Sequence, residues 1–265
     1  MDFNQIRIQA QAIICKIGAE LITERRTLQS TAVEVKGLND FVTAYDKRTE
    51  QLLIAELGEL LPESGFIAEE KTSSKLSDEL NWIIDPIDGT TNFIHGLPIF
   101  AISVALQYRG QLVVGIVYEL GADECFSASI GGGAFLNDRP IKVSATPTVS
   151  GSLIATGFPY NNYERMDAYM ESLNYLMRHS HGLRRLGSAA TDLAYVACGR
   201  FEAFYEYDLK PWDVAAGALI VTEAGGAVTD FSGGDNFLFG GELVATNAAI
   251  RGEFLGLVSS YMNEK

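Results

Sequence analysis

The sequence has little cysteine, fewer basic than acidic residues, and no long apolar run. Its 265 residues include three cysteines, Cys15, Cys125 and Cys198, with no C-x-x-C pair. This odd number at these spacings argues against a disulfide framework and against a thiolate zinc site, so we expect three small buried side chains. The longest apolar stretches, such as residues 214–221, are too short to cross a bilayer.

The deficit of basic residues makes the chain strongly acidic. There are 20 Lys and Arg residues against 34 Asp and Glu residues, for a formal net charge of −14. An anionic surface repels nucleic-acid phosphates and anionic lipid, so neither a nucleic acid nor a membrane is expected as a partner. Residues 1–22 show helical spacing of apolar residues instead of a basic leader followed by an apolar block, which predicts a cytoplasmic location.

Two halves of different character lie on either side of a turn-rich stretch at residues 145–152. Before this stretch, helices are predicted at residues 6–24 and 44–61, the second opened by Thr43 with Asp46 as a capping box. Strands are predicted after them at residues 81–87, 99–108, 111–119, 124–128 and 134–143.

Strands and helices alternate after the turn-rich stretch. The predicted strands are 152–156, 183–186, 201–207 and 243–246, and the predicted helices are 163–178, 188–198 and 212–224. The fold class is therefore α/β, with an α+β N-terminal half and an α/β C-terminal half. We predict a single catalytic unit, residues 1–265, built of two packed halves at 1–147 and 148–265.

The segment most informative about chemistry is Trp-Ile-Ile-Asp-Pro-Ile-Asp-Gly-Thr-Thr-Asn-Phe at residues 82–93. Pro86 and Gly89 predict a tight turn that directs Asp85, Asp88 and the Ile87 carbonyl into one space. Three hard oxygens this close favour a hard cation such as Mg²⁺. The following Thr-Thr-Asn predicts a helix start that can bind phosphate. From these residues alone, a plain hydrophilic turn is an equally good interpretation.

Other acidic residues stand at similar places. Glu69 and Glu70 follow a short apolar run, and Asp213 follows Trp212 at a helix start. The glutamates can be a solvated pair, and Asp213 can be an ordinary first-turn acid. Burial beside Trp212 makes an unpaired carboxylate costly, however, and a metal ion would neutralise it.

Five blocks in order resemble the inositol monophosphatase family and extend from Lys36 to beyond Gly226. They are Lys36-Gly37-x-x-Asp40-x-Val42-Thr43-x-x-Asp46, Ala68-Glu69-Glu70, the Asp85 to Phe93 segment, Leu186-Gly187-Ser188-Ala189-Ala190, and Glu206 with Trp212-Asp213-Val214-Ala215-Ala216-Gly217. The resemblance implies a layered αβαβα sandwich of the sugar-phosphatase type. It also implies a homodimer and inhibition by Li⁺.

The resemblance also implies the site residues and their roles. Two to three Mg²⁺ ions would be held by Glu69, Asp85, the Ile87 carbonyl, Asp88 and Asp213. Substrate would be bound by Asp88, Gly89, Thr90, Gly187, Ser188, Ala189, Glu206 and Asp213. The dianionic phosphate repels a nucleophile, so we expect charge neutralisation and positioning of a water to dominate catalysis. Glu69, Thr90 and Asp46 would act on that water, with Asp46 accepting a proton from Thr90.

The remaining motifs are given structural interpretations. His179 and His181 lie in a polar turn and lack a third histidine, which favours a surface loop over zinc. A glycine run at residues 131–133 predicts a hairpin turn. Arg184 and Arg185 are interpreted as a solvent-facing pair, although one of them can face a substrate phosphate or a partner subunit. The hairpin strands at residues 99–119 can form either a dimer interface or plain core.

Three functions remain open from the sequence. The first is Mg²⁺-dependent hydrolysis of inositol monophosphate, a small phosphorylated polyol. The second is the same chemistry on fructose 1,6-bisphosphate, histidinol phosphate, NADP or a 3′-phosphoadenosine nucleotide. The third is a non-catalytic regulatory protein that keeps the fold. Asn92-Phe93 and Glu206 favour a polyol over a nucleotide, and the intact set of acidic residues argues against the third function.

Overall fold

The computed structural model describes residues 1–25, 33–37 and 40–263, with 33–37 and 40–43 described by their backbone alone. The helices are α1 (Phe3–Arg25), α2 (Ala44–Leu60), α3 (Thr90–His95), α4 (Met166–His179), α5 (Ala189–Ala197), α6 (Pro211–Glu223) and α7 (Arg251–Met262). The strands are β1 (Val33–Gly37), β2 (Asp40–Thr43), β3 (Gly65–Ala68), β4 (Leu80–Asp88), β5 (Ala101–Tyr108), β6 (Gln111–Glu119), β7 (Glu124–Ser129), β8 (Gly133–Leu136), β9 (Arg139–Ile141), β10 (Leu153–Thr156), β11 (Gly182–Arg184), β12 (Ala203–Tyr207), β13 (Ala227–Thr229) and β14 (Glu242–Thr246).

Two large sheets alternate with three layers of helices, as the αβαβα prediction required, and β1 and β2 form a separate two-stranded antiparallel sheet. Helix α1 buries Ile6, Ala10, Ile14, Ile17 and Leu21, a single stripe at helical spacing, against the outer face of the first sheet. Helix α6 is buried continuously from Val214 to Val221 because it lies with α5 between the two sheets. Helices α4 and α7 pack together on the far side of the second sheet.

The first sheet is a seven-stranded meander in the order β3-β4-β5-β6-β7-β8-β9. Only β3 and β4 run parallel, and every other neighbouring pair is antiparallel. Arg109 and Gly110 connect β5 and β6 with positive φ angles of 51° and 81°, as a two-residue hairpin turn requires. Strands β5 and β6 are buried between α1 and α6, so the segment at residues 99–119 is core.

The second sheet has five strands in the order β11-β10-β12-β14-β13. Strand β10 runs parallel to both β11 and β12, whereas β14 is antiparallel to β12 and β13. All strands of the first sheet precede residue 142, and all strands of the second follow residue 152. The predicted division at residues 147 and 148 therefore lies in the connection between the sheets, although the division into halves stays a prediction.

Some predicted elements were wrong. The expected strand at 134–143 is two strands, β8 and β9, because Asn137 and Asp138 adopt left-handed φ angles of 47° and 61° and turn the chain. Helix α7 and strands β1, β2 and β13 were missed. The side chains of Lys36, Asp40 and Thr43, which carry part of the first block of the resemblance and the predicted capping box, lie outside the described part of the chain.

The three cysteines are free thiols, with Cys125 buried and Cys15 and Cys198 half-buried. The expectation of burial therefore holds fully for one of them. Within residues 1–25, 33–37 and 40–263, no helix combines the length and apolar character needed to cross a membrane.

Candidate active site

The central feature of the site is a bulge at the end of β4. Asp85 pairs with Ser103 and Asp88 with Ala101, so the two residues Pro86 and Ile87 face a single residue on β5. A bulge tolerates Pro86 because proline has no N–H to donate to the ladder. The freed Ile87 N–H donates to Asp85 Oδ1 at 3.0 Å. Local sequence therefore directs both carboxylates and the Ile87 backbone to the same side of the strand end.

The second half of the molecule meets this bulge through two glycines. Gly89 and Gly187 have φ angles of 92° and 90°, and a Cβ atom at Gly89 would lie 3.0 Å from the Gly187 carbonyl. A side chain at Gly89 would therefore separate the two backbones. Asn92 strengthens the same junction, because its Nδ2 donates to Leu186 O at 2.8 Å and to Ile99 O at 2.7 Å.

Asp88 is held by the start of α5. Ser188 Oγ and the Ala190 N–H donate to Asp88 Oδ2 at 2.6 and 2.7 Å. Ser188 also caps α5, since its side chain accepts from the Thr191 N–H. One carboxylate oxygen of Asp88 is thus bound by the second half, which fixes the position of the carboxylate at the cavity.

Thr90 and Asp46 form a hydrogen-bonded pair at the first turns of α3 and α2. Thr90 Oγ1 lies 3.1 Å from Asp46 Oδ1 and 3.0 Å from Ile87 O. Asp46 is fully buried. The Ile87 carbonyl has a second lone pair, so its contact with Thr90 leaves capacity for another ligand.

Glu69 and Asp213 reach the site from elements on opposite sides of it. Glu69 follows β3, and its N–H donates to Ile84 O on β4 at 3.2 Å. The adjoining loop is held by the buried carboxylate of Glu50, which accepts from the N–H groups of Glu70 and Thr72, each at 2.7 Å. Asp213 stands in the first turn of α6, where its Oδ2 accepts from the Lys210 N–H at 2.7 Å.

One cavity of about 400 Å³ brings the predicted residues together. Its lining includes Glu69, Asp85, Ile87, Asp88, Gly89, Thr90, Gly187, Ser188, Ala189, Glu206 and Asp213. Asp46 contacts the lining through Thr90. All residues predicted for the site thus lie at one place, while their individual roles stay predictions.

The sequence interpretation missed several residues of the cavity wall. Lys71, Tyr160, Asp192 and Lys210 also line it. Arg184 and Arg185 are both exposed, as expected, and Arg185 also lines the cavity, where a guanidinium nitrogen lies 3.4 Å from Tyr160 Oη. This position fits the alternative that one arginine of the pair faces the substrate. The sequence could have indicated Asp192 as a residue of the cavity wall, because it follows the predicted site residue Ser188 by four positions and residues four apart lie on one face of a helix.

Burial and like charges raise the pKa of the carboxyl groups. Burial is the main cause for Asp88, whose pKa rises to about 6 even though hydrogen bonds from Ser188 and Ala190 oppose the shift. Burial and the Asp88 charge raise the pKa of Asp213 to about 7. Burial, followed by the charges of Glu69 and Asp88, raises the pKa of Asp85 well above its usual range. Concentrated negative charge of this kind is unfavourable without a cation.

The donor set fits Mg²⁺, which prefers carboxylate and carbonyl oxygens. Glu69, Asp85, Asp88 and Asp213, with the Ile87 carbonyl, are the groups that would hold it. Among the residues that the structure describes, no three acidic, histidine or cysteine side chains already stand at metal-ligand spacing. The fit therefore rests on the shared cavity, the hard oxygen donors and the raised pKa values. A divalent cation bound here would lower those pKa values again.

The raised pKa values predict a pH-dependent effect of Mg²⁺ on stability. A carboxyl group whose pKa is raised by folding contributes stability in full below its ordinary pKa, which is 3.8 for Asp88 and Asp213. That contribution is lost as the pH rises through the folded pKa, which is about 6 for Asp88 and about 7 for Asp213. Metal-free protein should therefore lose stability between pH 4 and 8. Magnesium should restore it at pH 8 and have little effect at pH 5, where protons compete for the same oxygens.

Thermal unfolding with chelator or MgCl₂ at pH 5 and pH 8 measures this effect. Asp78→Asn, which removes an exposed acid, serves as the control and should behave as the original protein. An equal rise in melting temperature at both pH values would show that Mg²⁺ acts elsewhere.

The chain is similar to known proteins over nearly its whole length. The chain matches the inositol monophosphatase family over residues 3–263. It is 39% identical over 261 residues to an inositol-1-monophosphatase of Mesorhizobium japonicum, covering 98% of each chain. It is 43% identical over 248 residues to a putative Nus factor SuhB of Neisseria meningitidis serogroup B, covering 93% of this chain and 95% of that relative.

A solved structure shares the fold. The extragenic suppressor protein suhB of Bartonella henselae superposes with a TM-score of 0.87 at 39% identity, covering 96% of this chain and 97% of that chain. The predicted resemblance and the predicted αβαβα sandwich are both confirmed. The chain belongs to the inositol monophosphatase family.

Proposed function

We propose that this protein is a Mg²⁺-dependent phosphatase that hydrolyses a small phosphate monoester, with inositol monophosphate as its preferred substrate. The observation that carries the proposal is one cavity in which four carboxylates from both halves, Glu69, Asp85, Asp88 and Asp213, face a hydrogen-bonded Thr90 and Asp46. When bound, two to three Mg²⁺ ions would neutralise the phosphate charge and lower the pKa of the attacking water.

Residues of the chain orient the water, accept its proton and bind the substrate. Glu69 and Thr90 orient the water, and Asp46 accepts the proton that Thr90 passes on. Gly89, Gly187 and Ala189 let the phosphate approach the backbone closely. Ser188 keeps Asp88 in place, and Glu206 accepts hydrogen bonds from hydroxyl groups of the leaving alcohol. The proposal also includes a homodimer, a cytoplasmic location and inhibition by Li⁺.

Phosphate release from a substrate panel tests the proposal. The panel contains inositol 1-phosphate, fructose 1,6-bisphosphate, histidinol phosphate, NADP and a 3′-phosphoadenosine nucleotide, each with Mg²⁺ and with chelator. The highest kcat/KM is expected for inositol 1-phosphate, with no turnover in chelator. A higher kcat/KM for another ester would support the proposed hydrolysis of a phosphate monoester and contradict inositol monophosphate as the preferred substrate.

A regulatory function is the second candidate, because a relative at 43% identity is named a putative Nus factor SuhB. A regulator need not turn over any ester. Absence of phosphate release across the whole panel at saturating Mg²⁺ would favour this candidate and contradict the first.

The Thr90 and Asp46 pair supplies a prediction within the proposed mechanism. Thr90→Val keeps the shape of the side chain and removes its hydroxyl, so kcat should fall by about 10² to 10⁴, the usual contribution of general acid–base catalysis. Asp46→Asn should cause a similar loss, and the double variant should lose little more because the two residues act on one proton.

Thr23→Val is the matched control, since Thr23 is an exposed helical threonine whose hydroxyl donates to Ala19 O on the surface of α1. It should leave kcat unchanged. Losses that add independently in the double variant would contradict a shared proton path.

A further inference from the structure

An unusual feature of the cavity wall is a buried carboxylate with one oxygen that accepts no hydrogen bond. Asp192 lies in α5, is 1% exposed and lines the cavity. Its Oδ1 is buried and accepts no hydrogen bond, and it is the one acidic residue in the described part of the chain with such an oxygen. A buried acceptor without a donor destabilises the fold.

Other buried carboxylates of this protein are well satisfied. Glu50 accepts three hydrogen bonds from Glu70 and Thr72. Glu119 accepts two from the N–H groups of Gly121 and Ala122, at 2.9 and 2.8 Å. These carboxylates belong to the scaffold. Asp192 differs from them because it lines the cavity while its buried Oδ1 has no donor, and a rotation of the carboxyl group would present that oxygen to a ligand.

The charges around Asp192 indicate which donor fits. Burial raises the pKa of Asp192, the charges of Glu206 and Asp88 raise it further, and Arg185 opposes them. The Arg185 guanidinium lies beside Tyr160 Oη and the Phe158 ring, and no ion pair joins it to Asp192 in the described structure. The two nearby carboxylates disfavour a second phosphate here. The hydroxyl groups of the proposed polyol substrate are neutral donors that meet this condition.

We propose that Asp192 is a specificity-determining residue that accepts a hydrogen bond from a hydroxyl of the leaving alcohol, next to the hydroxyl bound by Glu206. This inference rests on the proposed function and extends it. Two buried carboxylates that line one cavity and interact electrostatically match a polyol with neighbouring hydroxyl groups, and they match simple monohydric esters poorly. The cost of keeping Asp192 unpartnered in the free protein is offset when a polyol binds.

Substitution of Asp192 separates this role from a scaffold role. Asp192→Asn keeps the shape and weakens the acceptor, and Asp192→Leu removes it. We expect kcat/KM for inositol 1-phosphate to fall by about 10- to 150-fold in the Leu variant, as for a lost hydrogen bond to a charged group, and by less in the Asn variant. Hydrolysis of p-nitrophenyl phosphate should change by less than about threefold, since it presents no neighbouring hydroxyls.

Asp192→Leu should be more stable than the original protein without substrate, because an unsatisfied buried acceptor is removed. Glu119→Gln is the matched control, a buried carboxylate outside the cavity wall with satisfied oxygens. It should lower stability and leave the ratio of the two substrates unchanged. Equal losses on both substrates, or lower stability with an unchanged ratio, would overturn the proposal and assign Asp192 to the scaffold.

A binding measurement keeps the inference separate from the proposed function. Myo-inositol, in the presence of Mg²⁺ and inorganic phosphate, should raise the melting temperature of the original protein and not that of Asp192→Leu. If the original protein hydrolyses no ester, the proposed function fails, and this shift alone then decides the role of Asp192. An equal shift in both proteins would overturn the inference whatever the activity.

Discussion

Asp85→Asn is expected to abolish Mg²⁺-dependent phosphate release while leaving a folded and more heat-stable protein. Asp85 is 2% exposed, and its pKa is raised by burial and then by the charges of Glu69 and Asp88. Asparagine has nearly the same shape and can still accept from the Ile87 N–H. It removes the negative charge that repels its neighbours in the metal-free protein and that a cation requires.

The expected loss of kcat/KM is on the order of a thousandfold, as the loss of several kcal/mol of transition-state stabilisation implies. Phosphate release across a Mg²⁺ titration and thermal unfolding in chelator measure the two effects. Asp78→Asn, an exposed acid on the preceding loop, is the control and should change neither. Full turnover by Asp85→Asn at saturating Mg²⁺ would contradict the assignment of Asp85 as a metal ligand.

Glu206→Ala is expected to change substrate preference more than catalysis. Glu206 is 8% exposed at the C-terminal end of β12 and lines the cavity beyond Asp88 and Asp213. If it accepts a hydroxyl hydrogen bond, its removal should lower kcat/KM for inositol 1-phosphate by about 10- to 150-fold, the value of 1.5–3 kcal/mol for a bond to a charged group. p-Nitrophenyl phosphate, which lacks such hydroxyls, should be hydrolysed at nearly the original rate.

Gly157→Ala provides an independent route to the same result. A Cβ atom at Gly157 would collide with the carboxyl group of Glu206, a flexible side chain that would have to move. The variant should therefore fold and show the substrate preference of Glu206→Ala. Equal losses on both substrates would instead place Glu206 among the metal ligands, and unchanged kinetics in both variants would remove it from the site.

Local signals explain why much of the site could be predicted. Asp85 and Asp88 stand at a strand end interrupted by Pro86 and followed by Gly89, and each of these residues limits the backbone by itself. The bulge, the left-handed Gly89 and the start of α3 at Thr90 all follow from residues within one turn of each other. The same holds for Ser188 as the cap of α5 and for Arg109-Gly110 in the hairpin.

Long-range packing explains what was missed. Helix α7 stacks against α4 and β14, so its identity as a helix depends on partners far along the chain. Arg185 is exposed, as expected, but its place beside Tyr160 at the cavity is set by the turn between β11 and α5. The division of 134–143 into two strands was a local error, because Asn137-Asp138 is a recognisable turn signal.

The sequence by itself indicated the family through five motif blocks, and that resemblance implied the five-layer architecture. It also identified the acidic residues of the site, because strand ends, helix caps and proline or glycine turns act over a few residues. The tertiary structure alone decided that Asp88 is anchored by Ser188 from the other half and that Glu50 holds the loop beside Glu69. It also decided that one oxygen of the Asp192 carboxylate is buried without a hydrogen-bond partner. The contacts of Asp88 and Glu50 join residues about 20 to 100 positions apart. Only the packing of the two large sheets around α5 and α6 brings such distant residues within hydrogen-bonding distance.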